Sequence, residues 1–363
     1  MPDGRSRRTW LAGWRGLGRF WALIAVVAGA GAVVLQALGP PPPAGPVAAS
    51  APPPEPAVPP AVPPESKPAA VITRAEQSAP PGDFPGREAL GPIADPDPDL
   101  LEPVPDSPND MPPRISPDGR KPMEVYAAGF DRGTMRARVG VVLTGIGMNE
   151  ADSLEAARTL PGPVTLAVSP YAGDLRSILT VARLRGHELL VSLPMEPSGF
   201  ALSDPGPKAL MTDLPWQRNR ERLHWALSRF SGYVGVTGAL GEMRGERFVG
   251  MTDQFGNLMK ELHHRGLLYV SPQTSGTGPG GSWACAVDVV IDEPAGAATI
   301  EQRLEELTKL ARDRGAALGL ATAPRPVTID RLRAWANGLA NRGLILAPVS
   351  ALVLPPRGLE GAK

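Results

Sequence analysis

The chain has 363 residues and carries 37 Lys and Arg against 37 Asp and Glu, so its formal net charge at pH 7 is zero. This balance argues against a general nucleic-acid-binding protein, which needs a surplus of cations to displace the counterions of the phosphate backbone. A single cysteine, Cys285, excludes an internal disulfide framework and a cysteine-based zinc cluster.

Proline divides the chain into two regions. Of its 44 prolines, 28 lie in residues 1–125 and 16 in residues 126–363. The first region is too rich in proline to pack a core of its own. The second region is long enough to form one large domain.

The N-terminal segment predicts a membrane anchor. Five arginines lie within residues 1–19, residues 20–38 carry no charge, and the next Lys or Arg is Lys67. A helix over residues 20–38 would be about 28 Å long, which is close to the hydrocarbon thickness of a bilayer. The charge asymmetry places residues 1–19 in the cytoplasm and the rest of the chain across the membrane. A cleaved signal peptide is the alternative, although its apolar core is usually only about 7–15 residues long.

Residues 39–121 predict a disordered linker that is rich in proline, alanine and acidic residues. Such a composition favours a solvated polyproline II conformation, which acts as a semi-rigid spacer. The spacer would hold the folded domain away from the membrane. The Pro-x-x-Pro spacings in it also allow a docking function, which is the less favoured interpretation.

Residues 122–363 predict a domain in which strands and helices alternate. Short apolar runs predict strands at residues 139–143, 164–168, 188–193, 233–236, 267–270, 287–291, 317–320 and 344–347. Amphipathic stretches predict helices at residues 150–160, 173–185, 216–230, 253–265, 299–314 and 329–342. This order is typical of a parallel sheet that is covered by helices. We therefore expect an α/β fold, with a regular or irregular (β/α) barrel favoured over an open doubly wound sheet.

Several predicted helices end in a basic residue that is followed by glycine. The pairs are Arg185-Gly186, Arg265-Gly266, Arg314-Gly315 and Arg342-Gly343. The cation complements the negative end of the helix dipole, and the glycine accepts the positive φ of a helix C-terminus.

Parallel α/β folds bind ligands at the carboxyl ends of their strands, and no histidine is predicted there. Glu196 lies between Pro194 and Pro197 and has a stiff backbone, so it is a candidate general acid or base; alternatively it caps a neighbouring amide. Ser192 lacks a histidine or lysine base beside it. Arg325 is a candidate for gripping an anionic group, with a solvated loop arginine as the alternative.

Several ordered segments resemble the divergent polysaccharide deacetylase family. They are LPGPVTLA at 160–167, GHELLVSLPMEP at 186–197, DPGP at 204–207 and GYVGV at 232–236. The resemblance covers about residues 122–354 and implies an irregular (β/α) barrel of the polysaccharide-deacetylase, NodB-like type. It also implies a membrane-tethered protein of the bacterial envelope, anchored in the inner membrane with its C-terminal domain in the periplasm.

The chain departs from the family pattern wherever that pattern has an aspartate or histidine metal ligand. The residues found at these positions are Thr144, Gly145, Ser192, Ala239, Ser271, Ala323 and Arg325, whereas Glu196 and Asp292 match the family. Metal-dependent deacetylation needs a bound cation that polarises the carbonyl and activates water. We therefore predict no metal, no cofactor and no metal-dependent deacetylase activity.

The leading hypothesis is a protein that binds an envelope polysaccharide or a periplasmic protein partner through Thr144, Ser192, Glu196 and Arg325. The alternative is a carbohydrate hydrolase with a rebuilt site around Glu196 and Asp292. A purely structural domain that recruits other envelope proteins is the third interpretation.

Overall fold

The computed structural model describes Trp21 and residues 91–105, 107, 109–274 and 282–355. Apart from Trp21, all of these residues belong to one compact unit of the chain. The predicted anchor at residues 20–38, except Trp21, and the predicted linker up to residue 90 lie outside the described residues. Within the described residues, no helix combines the length and the apolar character that a membrane crossing requires.

The strands of the described region all pair in parallel. They are β1 (Ala137–Ile146), β2 (Thr165–Val168), β3 (Leu189–Ser192), β4 (Gly235–Thr237), β5 (Leu268–Ser271), β6 (Ala284–Ala286), β7 (Val289–Val290), β8 (Ala316–Ala321) and β9 (Leu344–Leu346). Their order across the sheet is β6-β5-β4-β3-β2-β1-β8-β7, and β9 pairs with β1. The predicted parallel α/β fold is therefore confirmed.

The sheet curls so that its two outermost strands, β6 and β7, follow one another along the chain. Only Val287 and Asp288 separate them. The amide of Val287 donates to the carbonyl of Ser271 in β5, and the amide of Asp288 donates to the carbonyl of Leu318 in β8. The predicted strand at residues 287–291 is thus one part of a bent segment that bonds to both ends of the curled sheet. The last strand, β9, pairs with residues 137–139 at the start of β1 and adds no further step to the sheet order.

All six predicted helices are present. The helices of the described region are α1 (Pro122–Val125), α2 (Glu150–Thr159), α3 (Arg176–Arg185), α4 (Trp216–Leu227), α5 (Glu246–Val249), α6 (Thr252–His264), α7 (Ala297–Arg314) and α8 (Pro326–Asn337). Short 3-10 turns occur at Pro98–Leu100, Ala340–Arg342 and Val349–Ala351. The predicted terminal glycines have positive φ values of 80° at Gly186, 64° at Gly266, 81° at Gly315 and 75° at Gly343. These helix ends are therefore confirmed, except that α8 stops at Asn337 and a 3-10 turn precedes Gly343.

Two apolar cores lie on the two faces of the sheet. The outer core packs the helices against the sheet and includes Ile178, Leu223 and Ile300. The inner core fills the concave face with strand residues such as Leu190 and Leu318. Alternate residues of each strand point to opposite faces, which explains why both neighbours along a strand are apolar and buried.

The inner core is completed by residues that the sequence analysis assigned to the linker. Ile93 is 5% exposed and Leu100 is fully buried, and both pack in the inner core with Tyr126. The amide of Asp97 donates to the Tyr126 hydroxyl at 2.8 Å. The prediction of a linker reaching residue 121 is thus wrong for residues 91–121. An extended segment can still bury isolated apolar side chains and pair its polar groups, and an average composition does not reveal this.

Candidate functional site

The carboxyl ends of β1, β2, β4 and β8, together with the loop after β3, surround a cavity of about 520 Å³, which we call the mouth cavity. Its walls are mostly apolar or aromatic and include Met148, Tyr171, Pro205, Pro207, Leu240, Met243 and Pro324. The charged side chains in its lining are Asp152, Asp204 and Arg325. The cavity therefore lies where parallel α/β folds bind ligands.

Five hydroxyl side chains, all fully buried, lie at the carboxyl ends of five neighbouring strands. They are Thr144, Ser169, Ser192, Thr237 and Thr322. The Thr144 hydroxyl donates to the carbonyl of Thr322 at 2.8 Å, and the Thr237 hydroxyl donates to the carbonyl of Val270 at 2.9 Å. The Ser192 hydroxyl has no hydrogen-bond partner among the described residues. This hydroxyl layer is neutral, and two of its members, Ser169 and Thr322, also line the mouth cavity.

Glu196 is 2% exposed and does not line the mouth cavity. Its Oε2 accepts hydrogen bonds from the amide and the hydroxyl of Thr212 at 2.6 and 2.7 Å. Its Oε1 forms an ion pair with Arg247 in α5 at 2.9 Å. Both oxygens are therefore occupied, and Glu196 joins the loop after β3 to α5. This geometry is that of the alternative interpretation, in which Glu196 caps a neighbouring amide.

Asp292, which follows β7, is 1% exposed. Its Oδ1 accepts from the amide of Thr322 at 2.7 Å. Its Oδ2 accepts from the Thr328 hydroxyl at 3.2 Å and from Nη1 of Arg325 at 3.3 Å. The carboxylate thus holds the loop between β8 and α8 and is not part of the cavity lining.

Of the predicted site residues, all of which the structure describes, Arg325 is the one that lines the mouth cavity. Besides Asp292, its Nη1 donates to the Thr322 hydroxyl at 3.2 Å, and its Nη2 lies 3.5 Å from Oε1 of Glu242. The side chain is 38% exposed. The guanidinium is therefore held at the edge of the cavity between two carboxylates, one buried and one exposed.

The sequence analysis did not select Tyr171, which forms part of the cavity wall. Its hydroxyl accepts from the amide of Lys208 at 3.2 Å, and its ring centroid lies 5.4 Å from that of Trp225. Burial raises the pKa of Tyr171 above its ordinary value. The signal for it was available, because Tyr171 lies three residues after the end of a predicted strand.

The histidines lie away from the mouth cavity. His187 is buried before β3, and its ring nitrogens contact the carbonyls of Val164 at 2.8 Å and Ala157 at 3.1 Å. Burial lowers the pKa of His187. His224 contacts Glu261 at 3.1 Å on another face of the domain, and His263 and His264 end α6.

The residues at the mouth do not fit a divalent cation. Hydroxyls of Thr144 and Ser192 and the guanidinium of Arg325 stand at positions where the family pattern places metal ligands. Neutral hydroxyls are weak ligands, and a fixed guanidinium repels a cation. Across the described residues, no three His, Cys, Asp or Glu side chains come together in a group that would hold a metal ion.

Parallel strands in a curled sheet, helices on its outer face and a cavity at the strand ends define an α/β protein with the half-barrel fold of NodB-like deacetylases. The sequence profile of the divergent polysaccharide deacetylase family matches residues 141–353. This match spans more than half of the chain, so the chain belongs to the divergent polysaccharide deacetylase family.

One solved structure shows the same fold, and others are more distantly similar. The crystal structure of an uncharacterized protein from Agrobacterium tumefaciens C58 is 31% identical, with a TM-score of 0.61, over 67% of this chain and 99% of that chain. The catalytic domain of a peptidoglycan N-acetylglucosamine deacetylase from Eubacterium rectale ATCC 33656 is 10% identical, with a TM-score of 0.38, over 59% of this chain and 88% of that chain. A family 4 carbohydrate esterase from Streptomyces lividans, in complex with acetate, is 17% identical, with a TM-score of 0.37, over 61% of this chain and 98% of that chain. The last two are too distant to support any argument about this chain. No curated protein sequence matches the chain.

Proposed function

We propose that this protein is a membrane-anchored periplasmic member of its family that binds an envelope polysaccharide in the mouth cavity, without metal-dependent deacetylation. The observation that carries the proposal is the mouth itself. It keeps a cavity of about 520 Å³ at the strand ends, while Thr144, Ser192 and Arg325 stand where the family resemblance implies metal ligands. The shape of a binding site is thus present without the donor set of the metal-dependent reaction.

The lining of the mouth cavity supports saccharide binding. Small-molecule sites are usually concave, about 300–1,000 Å³ in volume, and apolar with a few polar groups that fix orientation. Tyr171 offers an aromatic ring whose face suits the apolar face of a sugar. Asp152, Asp204 and Arg325 supply polar groups at the rim for sugar hydroxyls.

The two acids of the alternative hydrolase hypothesis are engaged elsewhere. A general acid or base must come within hydrogen-bond reach of the atom that it protonates or deprotonates. Glu196 and Asp292 are buried, bond to neighbouring loop and helix residues through both oxygens and do not line the cavity. The geometry therefore favours binding over hydrolysis by these residues.

The location in the periplasm rests on the sequence of residues 1–38, with five arginines before an uncharged apolar run. An alkaline phosphatase fusion at the C-terminus is expected to be active, because this reporter folds only outside the cytoplasm. An inactive fusion at normal protein levels would contradict the proposed topology.

Binding and hydrolysis are tested together on the purified full-length protein. The probe is an N-acetylglucosamine tetrasaccharide, with binding measured by calorimetry and acetate release measured in the same samples. We expect binding without acetate release. Ala323→Trp places a large side chain in the cavity lining and should weaken binding by about tenfold or more, which corresponds to about 1.4 kcal/mol.

The matched control is Ala298→Trp, at an exposed position on α7 outside the cavity lining. It should leave binding unchanged. Acetate release by the wild-type protein would overturn the inactive assignment. Equal binding by the wild type and Ala323→Trp would overturn the mouth as the site, and a wild type that binds no saccharide would leave a protein partner as the favoured ligand.

A further inference from the structure

A second and larger cavity, of about 930 Å³, lies outside the curled sheet. Residues 102–105 form one wall and helix α4 forms the other. We call it the outer cleft. It shares no lining residue with the mouth cavity.

One part of the outer cleft is a closed network of charges. Nε of Arg265 donates to Oε1 of Glu261 at 2.8 Å, and its Nη1 donates to the Pro113 carbonyl at 2.9 Å and to Glu102 at 3.3 Å. His224 contacts both Glu261 and Arg265. Arg265 is therefore shared between Glu261 and Glu102, and both acids of this network are already engaged within it.

The rest of the lining has a surplus of positive charge. Arg218 pairs with Glu221 at 2.9 Å. Lys208, Arg220 and Arg222 line the cleft without a carboxylate partner among the described residues. Nη1 of Arg222 donates only to the carbonyl of Ala209, at 2.6 Å, so its charge is not neutralised. Among the acids of the lining, Asp110 alone has no cationic partner among the described residues. Three uncompensated cations thus face one uncompensated carboxylate.

An aromatic ring lies beside these cations. Trp225, which is half-buried, forms part of the cleft wall. The Lys208 ammonium lies 6.0 Å from its ring centroid, and the guanidinium of Arg229 lies 5.6 Å from it. The cleft therefore combines fixed positive charge with an aromatic surface.

We propose that the outer cleft binds an acidic saccharide, whose sugar rings carry carboxylate or phosphate groups. Arginine and lysine form charge-assisted hydrogen bonds with such groups, and the apolar face of a sugar packs on a tryptophan. The wall formed by α4 offers no unpaired strand edge, which extended peptides commonly use. This site is independent of saccharide binding in the mouth cavity.

The test compares two ligands that share the same sugar chain and differ in whether its carboxylates are free or methyl-esterified. Tetragalacturonate is titrated into the full-length protein by calorimetry at low and high salt, beside its methyl-esterified, uncharged form. We expect the charged form to bind about tenfold or more tightly, as one or two charge-assisted hydrogen bonds would give. Its affinity should fall as salt rises.

Two variants test the residues. The first carries Arg220→Glu alone, and the second carries both Arg220→Glu and Lys208→Glu. The matched control is Arg136→Glu, because Arg136 is also exposed, has no ion pair among the described residues and lies outside the cleft lining. We expect Arg220→Glu to weaken tetragalacturonate binding by about tenfold or more, while Arg136→Glu and the mouth variant Ala323→Trp leave it unchanged. Thermal unfolding checks that each variant is folded.

Equal affinity for the charged and the esterified ligand would overturn the proposal, and so would equal losses in Arg220→Glu and Arg136→Glu. A hexaglutamate peptide is titrated in parallel. Binding of that peptide in place of the saccharide would assign the cleft to an acidic polypeptide and overturn the saccharide class. Because the mouth is tested with a neutral tetrasaccharide, failure at one cavity does not affect the result at the other.

Discussion

The linings of the mouth cavity and the outer cleft each contain one ring of a tilted aromatic pair, with an angle of 42° between the ring planes. Tyr171 lines the first cavity, Trp225 lines the second, and their ring centroids lie 5.4 Å apart. At the mouth, the nearby buried acids are bonded to loop and helix residues, and Arg325 is held between Asp292 and Glu242. At the cleft, three cations of the lining have no carboxylate partner in the described part of the chain.

Under the two proposals, one fold carries a mainly apolar cavity at its strand ends and a charged cleft on its outer face. The strand ends of a parallel α/β fold provide a concave surface whatever residues follow them. At the mouth this surface persists with neutral hydroxyls beneath it, so under our proposal selectivity there depends on shape, apolar contact and the few polar groups at the rim. The cleft depends on side chains of a helix and its neighbouring loop, which can carry charge without disturbing the sheet.

The first prediction concerns Asp292, whose removal should have the largest effect. Asp292→Ala leaves the buried amide of Thr322 and the hydroxyl of Thr328 without their acceptor. Leaving such groups unpaired costs about 1–3 kcal/mol each, so we expect a loss of about 3 kcal/mol in the free energy of unfolding. Urea denaturation of the full-length protein measures it.

Asp152→Ala is the control, because Asp152 lines the same cavity but has no ion pair among the described residues. A change within about 0.5 kcal/mol is expected there. If Asp292→Ala instead kept full stability and lost saccharide binding, Asp292 would be a ligand-contacting residue and the contrast between the two cavities would fail.

Much of the fold could be predicted from the sequence because it depends on local patterns. The runs of buried apolar residues gave the strands, and the Arg-Gly pairs gave the helix ends at Gly186 and Gly315. The folded part of residues 91–121 was missed, since its order depends on contacts such as that between Asp97 and Tyr126, which are distant in sequence.

The site was less predictable for the same reason. Arg325 lines the mouth cavity as its position after a strand suggested. Glu196 also follows a strand, but Thr212 and Arg247 bind both of its oxygens, and no local pattern shows those partners. The outer cleft combines residues near 102 with residues near 220, so it has no sequence signature.

The second prediction concerns the charge network of the cleft and the pH dependence of stability. The hydrogen bond from His224, together with the nearby Arg265, lowers the pKa of Glu261 from 4.5 to about 2 against the opposing effect of burial. A depressed pKa means that the unfolded chain binds the proton more readily. The stabilisation is therefore present above the ordinary pKa and is lost as the pH falls from about 4.5 to about 2.

In urea denaturation across this pH range, the free energy of unfolding should depend less steeply on pH in Glu261→Gln than in the wild type. Glu306→Gln is the control, because it removes an exposed ion pair with Arg303 within one helix. If the free energy of unfolding depended on pH with the same slope in Glu261→Gln and in the wild type, the contacts with His224 and Arg265 would not stabilise the ionised Glu261.

The third prediction has the smallest effect and concerns the hydroxyl layer beneath the mouth. Thr144→Val removes a buried hydrogen bond of 2.8 Å to the Thr322 carbonyl, and we expect a loss of about 1 kcal/mol. Ser192→Ala removes a hydroxyl that has no described partner, so stability should change by less than about 0.5 kcal/mol. Calorimetry with the neutral tetrasaccharide then separates structure from recognition. If Ser192→Ala keeps its stability but binds the saccharide more weakly, the unpaired hydroxyl contacts the ligand, and the hydroxyl layer takes part in recognition together with the polar groups at the rim.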